Sequence, residues 1–204
     1  MTMIRVALLD DHPVVLTGLQ RLLASANDVD VVAAAGDPTS LARALDGRRA
    51  DIVIADYDPT RNDTLAVCRR IKSRDTAPRM LLYTAYASPA LAIAARAAQA
   101  DGLVDKSEPA AVLLNAIRRI ADGETVIPTV GREAFEAAVS RLDERDLPLF
   151  AMLLDGESVS GIADALRSDV GDTARRAHRV VQRLRPRLPR DGHAYGSTSP
   201  RRIA

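Results

Sequence analysis

The 204-residue sequence has one cysteine, three histidines, no tryptophan and no long hydrophobic run. Because Cys68 is the only thiol, the chain cannot form an internal disulfide, and the scattered histidines lack zinc-finger spacing. A transmembrane helix needs about 20 apolar residues, and no segment approaches that length. Acidic residues follow the short apolar stretch at the N-terminus, which is not typical of a signal peptide. We therefore expect a cytoplasmic protein without structural zinc and without a membrane span.

Lysine is scarce as well, because Lys72 and Lys106 are the only two of the 28 basic residues that are not arginine. A lysine in this chain therefore goes against a strong compositional bias. The formal net charge is +1, but its distribution is uneven. Residues 142–170 contain two basic and seven acidic residues, whereas residues 171–204 contain nine basic and two acidic ones. Positive charge is thus concentrated at the C-terminal end.

Residues 1–121 predict an α/β domain. Short apolar runs alternate there with segments of helical spacing, and five such alternations indicate a parallel sheet covered on both faces. The predicted strands are Ile4–Leu9, Val29–Ala34, Ile52–Ala55, Met80–Tyr83 and Gly102–Val104.

The pattern changes after residue 121. Residues 122–141 predict a linker with a short helix, and residues 142–190 predict a small all-α domain of three helices. Residues 191–204 are rich in glycine, serine and other polar residues, and they are predicted to be a disordered tail.

Polar side chains follow four of the predicted strands, namely Asp10 and Asp11, Asp56, Thr84 and Lys106. The carboxyl ends of parallel strands share one edge of the sheet, where ligands collect. Three carboxylates stay ionised together only beside a cation, and hard oxygen ligands suit Mg²⁺. An aspartate beside such an ion can attack a phosphoryl donor, while a lysine balances charge on the transferred group.

The runs VALLDDHPVV, IVIAD, LLYTA and DGLVDK together resemble the receiver domain of two-component response regulators, and DDHP is typical of the NarL/FixJ subfamily. The resemblance implies a flavodoxin-like (βα)5 fold, a regulator rather than an enzyme, and phosphorylation of Asp56 by a sensor histidine kinase. It also implies Mg²⁺ held by Asp10, Asp11, Asp56 and the backbone carbonyl of Asp58.

The same resemblance implies that Thr84 and Lys106 bind the phosphoryl group. The rarity of lysine in this chain strengthens the match at Lys106. The aromatic switch residue expected three positions before that lysine is replaced by Leu103, with Tyr83 and Tyr86 as candidate substitutes. A phosphorylation-independent regulator of the same family is therefore an alternative.

The loop after Asp56 supports a second alternative. Pro59, Thr60 and Thr64 stand where the family usually has Met, Pro and Gly. The run IVIADYDPT also fits the Asp-x-Asp-x-Thr signature of haloacid-dehalogenase phosphatases, with Asp58 as the general acid. That family carries its nucleophile on the first strand, however, and here the predicted nucleophile follows the third.

Residues 142–185 align without gaps with the LuxR-type helix-turn-helix that ends NarL/FixJ proteins. On the third helix the predicted buried stripe is Thr173, Ala177, Val180, Val181 and Leu184. The residues predicted to contact promoter DNA are Arg175, Arg176, Arg179 and Arg183. There are two alternatives to DNA binding: the third helix is a solvated arginine-rich helix, or the helical domain binds protein.

The fourth helix of the LuxR-type domain is missing from the sequence pattern, because Pro186, Pro189 and Gly192 interrupt it. That helix commonly pairs protomers in the family. A homodimer is therefore expected to form through the receiver or the linker helix.

Overall fold

The computed structural model describes residues 3–45, 47–60, 63–72 and 76–186. Its first part is a five-stranded parallel sheet. The strands are β1 (Ile4–Leu9), β2 (Val29–Ala35), β3 (Ile52–Asp56), β4 (Arg79–Thr84) and β5 (Gly102–Asp105). They are arranged in the order β2-β1-β3-β4-β5, and each neighbouring pair is parallel. This order confirms the predicted flavodoxin-like architecture.

Five helices cover the sheet. They are α1 (Pro13–Ala24), α2 (Pro38–Leu45), α3 (Thr64–Lys72), α4 (Pro89–Ala97) and α5 (Ala110–Ala121). Alternate strand residues point to opposite faces, so Val6 and Leu8 pack with α1 and α5, whereas Ala7 and Leu9 pack with α2, α3 and α4. Burial on both faces explains why these strands are continuous apolar runs.

The C-terminal part contains four helices and a short 3-10 turn. The helices are α6 (Arg132–Val139), α7 (Leu147–Leu154), α8 (Val159–Ala165) and α9 (Val170–Leu184), and the 3-10 turn is Glu144–Asp146. The backbone of Gly156 has a φ of +83° after α7. Ser158 and Asp169 cap α8 and α9 by accepting hydrogen bonds from Gly161 N and Asp172 N. The predicted linker helix and three-helix unit are thus present.

The predicted tail, residues 191–204, lies outside the described residues, as does the end of the predicted helix-turn-helix domain beyond residue 186. Within the described ranges, no helix combines the length and apolarity needed to cross a bilayer. After α5 the chain runs beside β5, where Leu103 N donates to Val126 O at 2.9 Å and Val126 N donates to Asp101 O at 2.7 Å.

The C-terminal helices pack directly on the α/β part of the chain, the predicted receiver. Six of the nine residues of α4 are buried, because α6, α7 and α9 all contact this helix. A single hydrophobic cluster contains Leu65 and Leu91 of the receiver together with Phe150 and Val181 of the C-terminal helices. The two parts of the chain therefore share one apolar core.

Among the glycines that the structure describes, Gly102 in β5 is the one most closely packed by neighbouring side chains. A Cβ atom there would lie 2.5 Å from Ile120 Cδ1 and 2.6 Å from Leu81 Cδ1. We expect Gly102→Ala to lower the free energy of unfolding by about 2 kcal/mol through overpacking, as measured by urea denaturation. Gly18→Ala is the control, since Gly18 in α1 has open space around it and alanine should raise stability by about 0.7 kcal/mol. Equal effects of the two substitutions would contradict the packing.

Candidate functional site

The carboxyl ends of β1, β3 and β5 bring three of the predicted site residues together. Lys106 Nζ lies 2.7 Å from Asp10 Oδ2 and 2.9 Å from Asp56 Oδ1. Asp10 is 3% exposed and Lys106 is 20% exposed, so this ion-pair network is largely shielded from water. The site lies between β1 and β3, where the strand order reverses and where ligands bind in sheets of this type.

Asp11 and His12 complete the cluster from the loop after β1. His12 Nδ1 lies 3.0 Å from Asp11 Oδ1 and 3.1 Å from Asp10 Oδ1. Asp10, Asp11, His12 and Asp56 each offer one oxygen or nitrogen atom that could bind a metal ion, and these four atoms all lie within 4.8 Å of one another. Beside them is a cavity of about 20 Å³, lined in part by Asp58, which has room for one small ion or water molecule.

The charged groups of the cluster shift one another's proton affinity. Burial raises the pKa of Asp56 above its usual range, and the hydrogen bond from Lys106 offsets only part of that rise. Burial alone would lower the pKa of Lys106, but its hydrogen bonds to Asp10 and Asp56 raise it. Lys106 therefore stays protonated, and ionised Asp56 is destabilised relative to an exposed aspartate, as suits a carboxylate that reacts with an electrophile.

The unusual residues after Asp56 fix the loop by hydrogen bonds. Thr64 Oγ1, at the start of α3, donates to the backbone carbonyl of Asp56 at 2.8 Å. Thr60 donates to Asp58 Oδ1 through its backbone N at 2.7 Å and its hydroxyl at 2.6 Å. The Thr64 hydroxyl thus ties the start of α3 to the end of β3, a bond that a glycine at this position could not make.

Thr84 is fully buried and bonds to the same loop. Its hydroxyl donates to the carbonyl of Tyr57 at 2.6 Å and accepts from Tyr86 N at 3.0 Å. Thr84 therefore supports the backbone next to Asp56 in this structure, and its role toward a phosphoryl group stays a prediction. Of the two candidate substitutes for the aromatic switch, Tyr83 is beside the site, with Lys106 Nζ 5.7 Å from its ring centroid.

Tyr57 is a residue of the site that the sequence analysis missed. Its side chain is fully buried, and its hydroxyl has no hydrogen-bond partner among the described residues. Burial raises the pKa of Tyr57, and the nearby guanidinium of Arg185 works against that rise. The available signal was a tyrosine directly after the predicted site residue Asp56 in a chain with only 3% aromatic residues.

The C-terminal end of α9 is tied to the receiver close to this tyrosine. Gln182 Nε2 donates to Asp63 Oδ2, and Arg185 Nη1 lies 3.8 Å from the same oxygen. Asp63 also caps α3, since its Oδ1 accepts a hydrogen bond from Ala66 N at 3.1 Å. Helices α3 and α9 are therefore joined by one carboxylate.

The predicted DNA-contacting arginines fall on two sides of α9. Arg175, Arg179 and Arg183 succeed one another at intervals of four and are exposed. Arg176 is half-buried and donates to Asp146 Oδ1 from Nε at 3.1 Å and Nη2 at 3.0 Å. The predicted buried stripe of α9 is confirmed at all five positions.

Residues 6–118 match the response regulator receiver domain family. This chain belongs to the response regulators of the NarL/FixJ type. A crystal structure of a LuxR-family two-component response regulator from Aurantimonas sp. is 34% identical and covers 68% of this chain and 99% of that one, with a TM-score of 0.58.

Two further comparisons extend over the C-terminal helices of the response regulator. The DNA-binding transcriptional activator DevR/DosR of Mycobacterium tuberculosis is 28% identical over 169 residues, which span 83% of this chain and 73% of that protein. The structure of RcsB from Salmonella enterica serovar Typhimurium bound to a promoter is 21% identical, covers 90% of this chain and 93% of that one, and has a TM-score of 0.55. The likeness to RcsB concerns the fold alone.

Lys106 bridges two carboxylates, so removing its charge tests the network. Lys106→Met keeps much of the side-chain volume but leaves Asp10 and Asp56 without this counter-charge. We expect the free energy of unfolding to fall by about 3 kcal/mol at pH 7 without divalent cations, as measured by urea denaturation. In the Asp10→Asn background the same substitution should cost clearly less, because one carboxylate is then neutral. An equal cost in both backgrounds would argue against the network.

Proposed function

We propose that this response regulator is a cytoplasmic transcription regulator, phosphorylated on Asp56 by a sensor histidine kinase and binding promoter DNA through α9. The observation that carries the proposal is the contact of Lys106 with Asp56 at the switch point of the sheet. Support for the DNA-binding half comes from the relative DevR/DosR, which is named a DNA-binding transcriptional activator.

The residues of the cluster suit phosphoryl transfer to a carboxylate. A carboxylate oxygen of Asp56 attacks the phosphorus of phosphohistidine, the P–N bond breaks, and the imidazole leaves with its electron pair. Lys106 balances the charge on the phosphoryl oxygens, and Asp10 holds the lysine in place. The oxygen-rich donor set fits Mg²⁺, which Asp10, Asp11, Asp56 and the carbonyl of Asp58 would hold and which, when bound, would neutralise charge on the phosphoryl group.

The alternatives raised by the sequence receive less support. The named relatives are a transcriptional activator and a two-component response regulator, which favours a regulator over a haloacid-dehalogenase-type phosphatase. Asp56 also ends the third strand rather than the first. A phosphorylation-independent regulator has Leu103 in its favour, but the intact Lys106–Asp56–Asp10 network favours a working phosphoacceptor site.

The described arrangement of α9 is a closed form. Gln182 of this helix donates to Asp63 of the receiver, and Val170, Ala174 and His178, at intervals of four before it, line a cavity between α9 and the receiver. The row of exposed arginines lies next to them on the helix surface. A helix that enters the major groove is flanked by DNA on both sides, because the groove is about as wide as the helix. The receiver therefore has to move away before α9 can enter the groove.

Thr84 and Tyr57 provide a route from phosphorylation to release of α9. A phosphoryl group on Asp56 would draw the Thr84 hydroxyl away from the Tyr57 carbonyl, which then loses its donor. Tyr57 packs beside Arg185 at the end of α9, so a shift of its backbone weakens the attachment of that helix. Phosphorylation would thus move a closed–open equilibrium toward the open form, with a homodimer through the receiver or the linker helix as its assembly.

Phosphorylation and DNA affinity can be measured on the same samples. We expect wild type treated with Mg²⁺ and acetyl phosphate to gain phosphate by mass spectrometry and to bind duplex DNA about tenfold more tightly, whereas Asp56→Asn should do neither.

Arg175→Ala with Arg179→Ala should reduce the slope of log affinity against log salt by about 2, because two phosphate contacts are lost. Arg43→Ala in α2 is the control. Phosphorylation without a change in DNA affinity would refute the proposed switch.

Asp63 offers a separate test of the closed form. Asp63→Ser keeps a helix-capping side chain for α3 but is too short to reach Gln182. We expect unphosphorylated Asp63→Ser to bind duplex DNA several-fold more tightly, measured by fluorescence anisotropy. Asp37→Ser is the matched control, since Asp37 caps α2 through hydrogen bonds from Thr39 N and Ser40 N. Similar gains in DNA affinity in both variants would mean that the lost negative charge alone causes the effect. That result would refute the contribution of the closed form.

A further inference from the structure

A cavity of about 930 Å³ lies between the receiver and the C-terminal helices, at the opposite edge of the sheet from Asp56. One wall consists of the ends of α3 and α4 together with the start of β4, and the other consists of the end of α7 and one side of α9. Its volume is within the range of small-molecule sites, which is roughly 300–1,000 Å³. The phosphoacceptor chemistry and the DNA contacts proposed above make no use of this cavity.

Arg69 in α3 lines the cavity, and it is unusual because its charged side chain is buried. The residue is only 8% exposed, and its Nη1 has no hydrogen-bond partner among the described residues. Burial lowers the pKa of the Arg69 guanidinium, yet an arginine remains protonated at physiological pH. A buried cation with an unpaired donor is unfavourable unless an anion reaches it. Turning the guanidinium toward the cavity breaks no hydrogen bond within the described chain.

The wall of the cavity carries more positive than negative charge. Lys72 and Arg79 share the single carboxylate of Asp101, at 2.9 Å and 3.0 Å respectively. Arg69 and Arg96 also line the cavity, and Asp155 is the further acid of its wall. A guanidinium is suited to a multiply charged anion that accepts several hydrogen bonds, and phosphate fits that geometry better than a single carboxylate.

We propose that this interdomain cavity binds a small phosphorylated metabolite, of up to about nucleotide size, with Arg69 as its principal phosphate contact. Two observations carry the assignment independently, namely the unpaired buried guanidinium and the cavity beside it. The DNA backbone is the competing source of phosphate, but a cavity of this volume between the receiver and α9 is too small to admit a duplex.

The position of the cavity makes its ligand a regulator of DNA binding. Ala174 and His178 of α9 form part of its wall, so a ligand that contacts both walls is bound only while the receiver and α9 remain together. Such a ligand stabilises the closed form and lowers affinity for DNA by the same factor by which DNA lowers affinity for the ligand. This second step rests on the DNA-binding surface proposed above, whereas ligand binding itself does not.

Pyrophosphate serves as the probe, with the full chain in EDTA so that the acidic cluster holds no metal. We expect isothermal titration to show binding to wild type that weakens at least about tenfold in Arg69→Met, which keeps the apolar stem but removes the guanidinium. Arg21→Met is the matched control, because Arg21 is exposed on α1 across the sheet. Thermal unfolding of each variant establishes that it is folded. Absence of binding to wild type, or equal weakening in both variants, would overturn the site.

The same variants separate the site from its regulatory consequence. At matched ionic strength, pyrophosphate should weaken binding of duplex DNA to wild type several-fold and leave the DNA affinity of Arg69→Met unchanged. Pyrophosphate binding without an effect on DNA affinity would retain the site and refute the regulation. Weaker DNA binding by Arg69→Met in the absence of pyrophosphate would mean that Arg69 contacts DNA, and would refute the metabolite site.

Discussion

The packing of α4 between the sheet and the C-terminal helices is the constraint on which the closed form depends. Its buried residues are mostly alanine, so neighbouring helices approach it closely from several sides. The small side chains give each contact little area, but together the contacts join the receiver and the C-terminal helices in one core. Both the access of α9 to DNA and the cavity beside Arg69 depend on this packing.

Much of the fold and part of the site could be predicted from the sequence. Short apolar runs located all five strands, and the order of elements brought Asp10, Asp56 and Lys106 to one edge of the sheet. The helical stripe of α9 was also readable, because burial in an amphipathic helix imposes a period of 3.6 residues. These features were predictable because they arise from local patterns or from a strong rule of topology.

The contacts between the two parts of the chain were not predictable in this way. The structure brings Gln182 to Asp63, which is 119 residues earlier in the chain and lies near Tyr57. None of these residues belongs to a periodic pattern from which its partner could be predicted. Arg69 looks like any surface arginine of an amphipathic helix until the C-terminal helices cover it. The contacts of these residues form only when the folded helices pack against one another, and no local sequence pattern indicates that packing.

The burial of α4 also has a consequence for how the protein responds to its own concentration. Opening the closed form removes α6, α7 and α9 from an apolar helix, and water does not stabilise a bare surface of that kind. An opened chain is therefore stabilised by whatever covers α4 next, and a second opened chain offers the same surface. In the proposed mechanism, opening and pairing would form one linked equilibrium, and the fraction of open protein would rise with the concentration of the regulator.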